Sequence, residues 1–247
     1  MRLLGDWLES NSRKKGSRII LAADVGGPFD ARLDKAASLV SAVGDSVVAV
    51  KVNWHLLLPY GVLGLRGLVE RCAEEGLPLI ADMKLNDIGA TNVEAAQTLF
   101  SNGFDAVIAN PFVGYKEGIE DLLTKSNEMG KAVILLVYMS HGGAREGYGL
   151  KVKGEPLYLS FARKTRSWGA AGAVVSSKSP SIIREVRSLL RDDQVIMSPG
   201  VGFQGGDGRK ALAAGSDYLI VGRSIVGSKD PAKSVEALKR ELGSTGA

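Results

Sequence analysis

Eight times along this chain a short aliphatic run gives way to a longer segment with apolar residues three and four apart, and this alternation restricts the fold more than any other feature. The runs fall at 18–25, 47–50, 77–84, 106–109, 132–137, 173–175, 194–198 and 218–221. Helical patterns follow at 29–43, 63–75, 89–102, 114–129, 156–168, 180–190, 209–214 and 231–242, and Gly76, Gly103 and Gly130 stand where helix C-caps belong. Continuous aliphatic runs are the mark of parallel strands buried on both faces. Eight strand–helix units in 247 residues match a closed (β/α)8 TIM barrel of the α/β class, with an open doubly wound sheet as the alternative. The chain reads as one domain, 1–247. Residues 1–16 form a helical extension whose Leu3, Leu4, Trp7 and Leu8 share a face suited to covering one end of the barrel.

Composition narrows the class further. With 45% hydrophobic and 23% charged residues the chain has globular proportions. Its net charge of +4 comes from scattered Lys and Arg, which suits a small anionic substrate better than a nucleic-acid track. Cys72 is the single cysteine, so neither an intrachain disulfide nor a thiolate metal site is expected, and a reducing compartment is consistent with that. No apolar run approaches the ~18 residues of a membrane span, and no signal-peptide core opens the sequence. The expectation is a soluble, cytoplasmic protein with no membrane or nucleic-acid partner.

Barrel chemistry gathers at the carboxyl ends of the strands. Read there, the sequence offers Asp24, Lys51, Asp82 with Lys84, Asn110, Ser140, Ser198 with Pro199, and Gly222 with Arg223. In a strand over 77–84, Asp82 and Lys84 share a face, and Asp87 falls in the turn beyond. A structural ion pair would explain the triplet alone, but buried charges cost several kcal/mol unless paired. Convergence of distant polar residues on one mouth favours catalysis, through an alternating array Lys51–Asp82–Lys84–Asp87. Two glycine-rich loops follow the seventh and eighth strands, Ser198 to Asp207 and Val221 to Ser224, at the usual phosphate site of such barrels; Arg223 adds a charge-assisted hydrogen bond. His141 and His55 read as a solvated loop residue and a structural residue. No metal-ligand spacing or dinucleotide fingerprint appears.

Taken together, these residues resemble the orotidine 5′-monophosphate decarboxylase family. The matching pieces run in order over nearly the whole chain: Asp24 after Leu21-Ala22-Ala23, Lys51 between Val50 and Val52, Asp82-x-Lys84-x-x-Asp87-Ile88, Thr91-Asn92 and Met139-Ser140-His141. They continue with Pro199-Gly200-Val201-Gly202-x-Gln204-Gly205-Gly206-Asp207 and Val221-Gly222-Arg223-Ser224-Ile225. The short chain is similar to the prokaryotic, especially archaeal, form. Where the family more often has a small residue two positions after the lysine, this chain has Asn53, followed by Trp54 and His55.

The resemblance implies decarboxylation of orotidine 5′-monophosphate to UMP, the last step of UMP synthesis, without metal or organic cofactor. It implies Lys84 as the acid that protonates C6, Asp82 beside the departing carboxylate, and Lys51 with Asp24 on the ribose. It implies a homodimer in which Asp87 and Thr91 reach the neighbouring subunit's substrate. Ser140 would read the pyrimidine edge. Gln204, Arg223 and the Gly222 backbone would hold the phosphate, with Pro199, Gly200, Val201 and Gly202 in the loop at 200–208 that closes over it. The alternatives are a magnesium-dependent enzyme like the hexulose-phosphate synthases, which resembles this chain in the Asp-x-Lys-x-x-Asp motif, and a non-catalytic nucleotide-binding barrel.

Overall fold

The structure, a computed structural model, describes residues 4–202 and 204–243; Leu3 of the expected helical face and Phe203 of the glycine-rich loop lie outside the described residues. The aliphatic runs form strands β1 (Ile19–Ala22), β2 (Ala49–Asn53), β3 (Leu79–Leu85), β4 (Ala106–Ala109), β5 (Ala132–Tyr138), β6 (Gly172–Val175), β7 (Val195–Pro199) and β8 (Tyr218–Val221). All pair in parallel, each with its sequence neighbours, and β8 returns to β1 to close the barrel. The closed barrel, not the open sheet, is the architecture.

Two shells of core follow from the period-two alternation of the strands. Ile20, Ile80, Ile108, Ile134, Met197 and Ile220 belong to the interior cluster. Ile19, Leu21, Leu79, Val107, Leu135 and Leu219 belong to the outer cluster, under the helices. The N-terminal helix Leu4–Lys15 puts Leu4 and the fully buried Leu8 into the interior cluster at the amino end of the barrel. Burying Leu8 contributes about 2 kcal/mol. Polar bonds fix the same helix: Trp7 Nε1 donates to Gly76 O at 3.1 Å, and buried Asn11 Nδ2 donates to Val48 O and Gly76 O, both at 3.0 Å. Among the described residues, no helix is long and apolar enough to cross a membrane.

The helices depart from the sequence pattern where glycine, proline or an all-apolar surface intervenes. A helix that the sequence pattern does not give, Trp54–Gly64, carries Pro59 inside and a kink at Gly61, whose φ is 65°. Its sequence hides it because no polar stripe marks the solvent side: Leu56 and Leu57 are buried while Leu58 and Leu63 are exposed. The pattern over 63–75 is realised as Arg66–Glu74. The helix expected over 114–129 starts late, at Glu120, behind an irregular turn in which Glu117 has φ 57°. A small hairpin, Lys151–Val152 against Glu155–Pro156, turns through Lys153 and Gly154, both with positive φ. At Gly103 the C-cap needs glycine twice over, for its φ of 92° and because a Cβ would meet Val69 Cγ1 at 2.3 Å.

Asn11→Ala removes both bonds at the base of the barrel: Val48 O loses its side-chain donor, while Gly76 O keeps the one from Trp7. Urea unfolding is expected to show a loss of about 1–3 kcal/mol with unchanged turnover, because the latch lies at the end opposite the strand carboxyl termini. An unaltered unfolding midpoint would show that the latch is not stabilising.

Candidate active site

A cavity of about 190 Å3 opens at the carboxyl end of the barrel. Its wall brings together Asp24, Lys51, Asp82, Lys84, Ser140, Pro199, Gly200, Val201, Gln204, Gly222 and Arg223, contributed by β1, β2, β3, β5, β7 and β8 or the turns just after them. The floor is apolar, formed by interior residues such as Ile108, Leu136 and Ile220.

The charged side is built by three adjacent strands. Lys51 pairs in register with Ala22 of β1 and Ile80 of β3. Its Nζ lies 3.6 Å from Asp24 Oδ1 and 3.0 Å from Asp82 Oδ2. The other oxygen of Asp82 accepts from Lys84 Nζ at 2.6 Å. The array is therefore Asp24–Lys51–Asp82–Lys84, and it holds two carboxylates against two ammonium groups. Lys51 is only 4% exposed, so this pairing is what makes its burial tolerable. Burial pushes the Asp82 carboxyl up, but Lys51 and Lys84 outweigh it and hold it below the usual carboxylate range.

Lys84 sits in the left-handed region, with φ 50°, where the β3–β4 register shifts between Ala81 and Leu85. A non-glycine residue there costs roughly 1–2 kcal/mol. The shared face of Asp82 and Lys84 survives, but the lysine is aimed by a bulge as well as by the strand.

Across the cavity, the loop after β7 leaves at Gly200, with φ 99°, and returns at Gly206. Gly206 N donates to Gly200 O and Gly202 N donates to Gly206 O, both at 3.0 Å. At Gly200 a Cβ would stand 3.0 Å from Gln204 Oε1 and 3.2 Å from Ser140 Cβ, so the glycine lets the loops after β5 and β7 meet. Asp207, in the same motif, N-caps the helix Gly208–Ala213 by accepting from Lys210 N at 3.0 Å. After β8, a Cβ at Gly222 would lie 3.3 Å from Ala22 Cβ, and the short helix Arg223–Val226 begins at once.

Several candidates from the sequence lie elsewhere. Asp87 and Thr91 are exposed and outside the cavity of their own chain. Asp87 makes no ion pair among the described residues; its turn is clamped by buried Asn92, which donates from Nδ2 to Asp87 O at 2.6 Å and accepts from Asp87 N at 3.2 Å. Within its own chain Asp87 does not join the array: β3 ends two residues earlier, and Asp24 is the second carboxylate. Gly202 is exposed at the loop's outer edge and does not line the cavity. Ser198 is fully buried, faces away from the cavity and accepts from the Ser216 hydroxyl at 2.8 Å. Asn110 Oδ1 accepts from Phe112 N instead of facing the cavity. His141 is exposed, and His55 donates its backbone N–H to Asn53 Oδ1 at 2.9 Å.

Asn53 is the wall residue that strand-end reading missed. Its signal was available: it lies two residues beyond Lys51, hence on the same face. Among the described residues no group of three or more His, Cys, Asp or Glu gathers as a metal site. A larger cavity of about 920 Å3 lies at the amino end, beneath the N-terminal helix. Many of its charges are paired with one another, as Lys131 with Asp105 and Arg191 with Asp193, both at 2.8 Å, and strand-end chemistry belongs to the other mouth.

Comparison with known proteins agrees with this geometry. The family model described as "Orotidine 5'-phosphate decarboxylase / HUMPS family" matches residues 17–238. An orotidine 5′-phosphate decarboxylase of Thermococcus kodakarensis is 36% identical over 92% of this chain and 97% of its own length. One from Aeropyrum pernix is 37% identical over 90% of this chain and 86% of its own. Among solved structures, the orotidine 5′-phosphate decarboxylase of Pyrococcus horikoshii superposes with a TM-score of 0.76 at 33% identity, covering 91% of this chain and 98% of that one. The orotidine 5′-monophosphate decarboxylase of Methanocaldococcus jannaschii complexed with inhibitor BMP gives a TM-score of 0.79 at 27% identity, covering 92% and 99%.

Because the carboxyl of Asp82 titrates lower when folded, its stabilisation is fully present above the unfolded carboxylate value near ~3.9 and is lost as pH falls through the folded value. Asp82→Asn is expected to cost about 3–5 kcal/mol at neutral pH and to flatten the acid limb of stability against pH. Denaturant titrations from pH 7 to pH 3 measure both. A variant with the wild-type acid limb would mean that Asp82 is not the carboxylate linked to folding there.

Proposed function

The chain belongs to the orotidine 5′-phosphate decarboxylase / HUMPS family, and we propose that its cavity converts orotidine 5′-monophosphate to UMP with Lys84 as the proton donor. One observation carries this reading: an ammonium held 2.6 Å from a carboxylate inside a cavity whose far wall is the pair of loops after β7 and β8.

The chemistry demands such an arrangement. The bond from C6 to the carboxylate breaks, CO2 leaves, and the electron pair remains on C6. Lys84 stabilises that developing charge as a fixed cation and then gives C6 its proton, itself becoming neutral until solvent reprotonates it. Asp82 holds both lysines in place and stands beside the departing carboxylate. Lys51 and Asp24 take the ribose; Asp24 Oδ1 is buried and accepts no hydrogen bond among the described residues, so it is an acceptor suited to a sugar hydroxyl. Ser140 reads the pyrimidine edge, next to Gly200. Gln204, Arg223 and the Gly222 backbone hold the phosphate, with Pro199, Val201 and Gly202 shaping the loop. Binding energy from the distant phosphate positions C6 against Lys84. No organic cofactor enters this scheme, and we place the reaction in the cytoplasm.

The working unit in this reading is a homodimer. Asp87 and Thr91 stand outside their own cavity beside Ile88, which is 62% exposed. Trp54, Leu58 and Phe112, on the segments after β2 and β4, are also exposed. These segments flank β3 at the same end of the barrel, so a second copy laid over them would cover apolar surface and receive Asp87 and Thr91 at its site.

Ultraviolet absorbance of orotidine 5′-monophosphate mixed with the protein in excess EDTA tests the reaction. Conversion to UMP is expected under chelation, and Lys84→Ala is expected to lower kcat by about a thousandfold or more while circular dichroism stays unchanged. Near-normal turnover by folded Lys84→Ala would refute the proton-donor role, and no conversion by folded, dimeric wild type would leave a sugar-phosphate enzyme or a binding-only barrel. Sedimentation of wild type is expected to give a dimer. Ile88→Asp is expected to sediment as a monomer with turnover reduced more than about tenfold, since a charge facing apolar surface is costly; a fully active monomer would remove the shared-site reading.

A further inference from the structure

We infer that Ser177, just beyond β6, is a positioning residue for phosphate recognition: its hydroxyl pins the two limbs of the glycine-rich loop, 199–202 and 204–206, in the fold that presents them to the substrate's phosphate. The inference rests on the proposed function for the identity of the ligand, and on the geometry of this chain for everything else.

Ser177 is 1% exposed and lies beneath the loop, outside the cavity wall. Two donors of this one residue meet a single acceptor. Its backbone N–H reaches Pro199 O at 3.0 Å and its hydroxyl reaches the same oxygen at 2.9 Å. The peptide joining Pro199 to Gly200 is planar, so holding its oxygen twice fixes the plane and sets the direction in which the loop departs. The loop leaves through Gly200, whose positive φ takes the chain over the cavity rim.

The same hydroxyl also meets the returning limb. A Cβ at Gly206 would fall 2.2 Å from Ser177 Oγ and 2.5 Å from Gly200 O, and one at Gly200 would fall 3.4 Å from Ser177 Oγ. Ser177 Oγ therefore occupies the crook between the two limbs, and glycine at 206 is what lets the limb close onto it. Above the crook, Gly206 N donates to Gly200 O and Val201 bridges to Gly206. On the cavity side, Gly200, Val201 and Gln204 form the wall, with Ser140 packed against Gly200. The serine thus ties the end of β6 to the loop that faces the phosphate, from behind the wall and without lining the cavity itself. Its neighbour Ser176 is equally buried but has a different task, accepting from Lys178 N at 3.2 Å.

A pin of this kind acts on binding and not on the bond-breaking step. In Ser177→Ala the backbone bond to Pro199 O persists and only the hydroxyl bond is lost. The KM for orotidine 5′-monophosphate is expected to rise about five- to tenfold, with kcat within twofold of wild type. Isothermal titration is expected to show the same factor lost from UMP affinity and none from uridine, which lacks the phosphate. Ser176→Ala, the matched control, is expected to behave as wild type in every measurement. Equal weakening toward uridine and UMP, unchanged UMP affinity, or the same loss in Ser176→Ala would each overturn the assignment. Should the alanine variant unfold, Ser177→Cys, similar in size but a weak donor, carries the same comparison. The UMP and uridine titrations do not depend on turnover. A wild-type protein that binds UMP without decarboxylating the substrate would therefore defeat the proposed function and still decide the role of Ser177.

Discussion

The carboxylate of Asp82, shared between Lys51 and Lys84, is the contact on which the site depends. An ammonium as deeply buried as Lys51 is not tolerable without a counter-charge, and Asp24 at 3.6 Å is too far to serve alone as a hydrogen-bonded partner. Asp82 supplies that partner and uses its second oxygen on Lys84. The four groups sum to zero charge, so a polar chain is stable above an apolar interior cluster. Because the carboxylate is held from both sides, displacing either lysine disturbs the geometry of the other. That is the rigidity that the proposed carbanion chemistry requires, since donors that must reorganise as the charge develops lose most of their effect.

Closure of the barrel places the second half of the site opposite the first. β1 and β8 are first and last in sequence, yet Ile19 pairs with Leu219 and Leu21 with Val221. This brings Gly222 within reach of Ala22 and Asp24, and so joins the glycine-loop side of the cavity to the charged side. In an open sheet the same residues could have the same local structure and still not form one cavity. The N-terminal helix supports closure from below, with Leu4 and Leu8 ending the interior column that Ile220 and Ile108 begin at the cavity floor.

The parts of this molecule that were legible in the sequence are those governed by one short-range rule. Uninterrupted aliphatic runs give the eight strands, and polar residues at their carboxyl ends give Asp24, Lys51, Asp82, Lys84 and Ser140 at the cavity. The same reading put Ser198 there, and parity explains the error: Met197 faces the interior, so Ser198 faces the helices. It passed over Asn53 for want of the same parity argument. The helix Trp54–Gly64 escaped because it is apolar on every side and carries Pro59 and Gly61. The left-handed backbone of Lys84 could not be read at all, since nothing in a lysine announces positive φ. Ser177 is equally silent, because its contact with Pro199 spans 22 residues and depends on how two loops pack.

Backbone conformation at Lys84 links the fold to the chemistry. An extended strand continued through residue 84 would carry its side chain along the regular inward direction; the bulge and the φ of 50° redirect it at a modest local cost. The conformation persists because it is determined from both ends: Asp82 holds the ammonium, and the ladder resumes with Leu85 against Ala109. A lysine on a regular strand could relax away from Asp82 by rotating its four-carbon stem. Here such a rotation would break the 2.6 Å ion pair without relieving the backbone, so nothing is gained by leaving Asp82. The ammonium at this site is thus held by the main chain that aims it as well as by the carboxylate that pairs it.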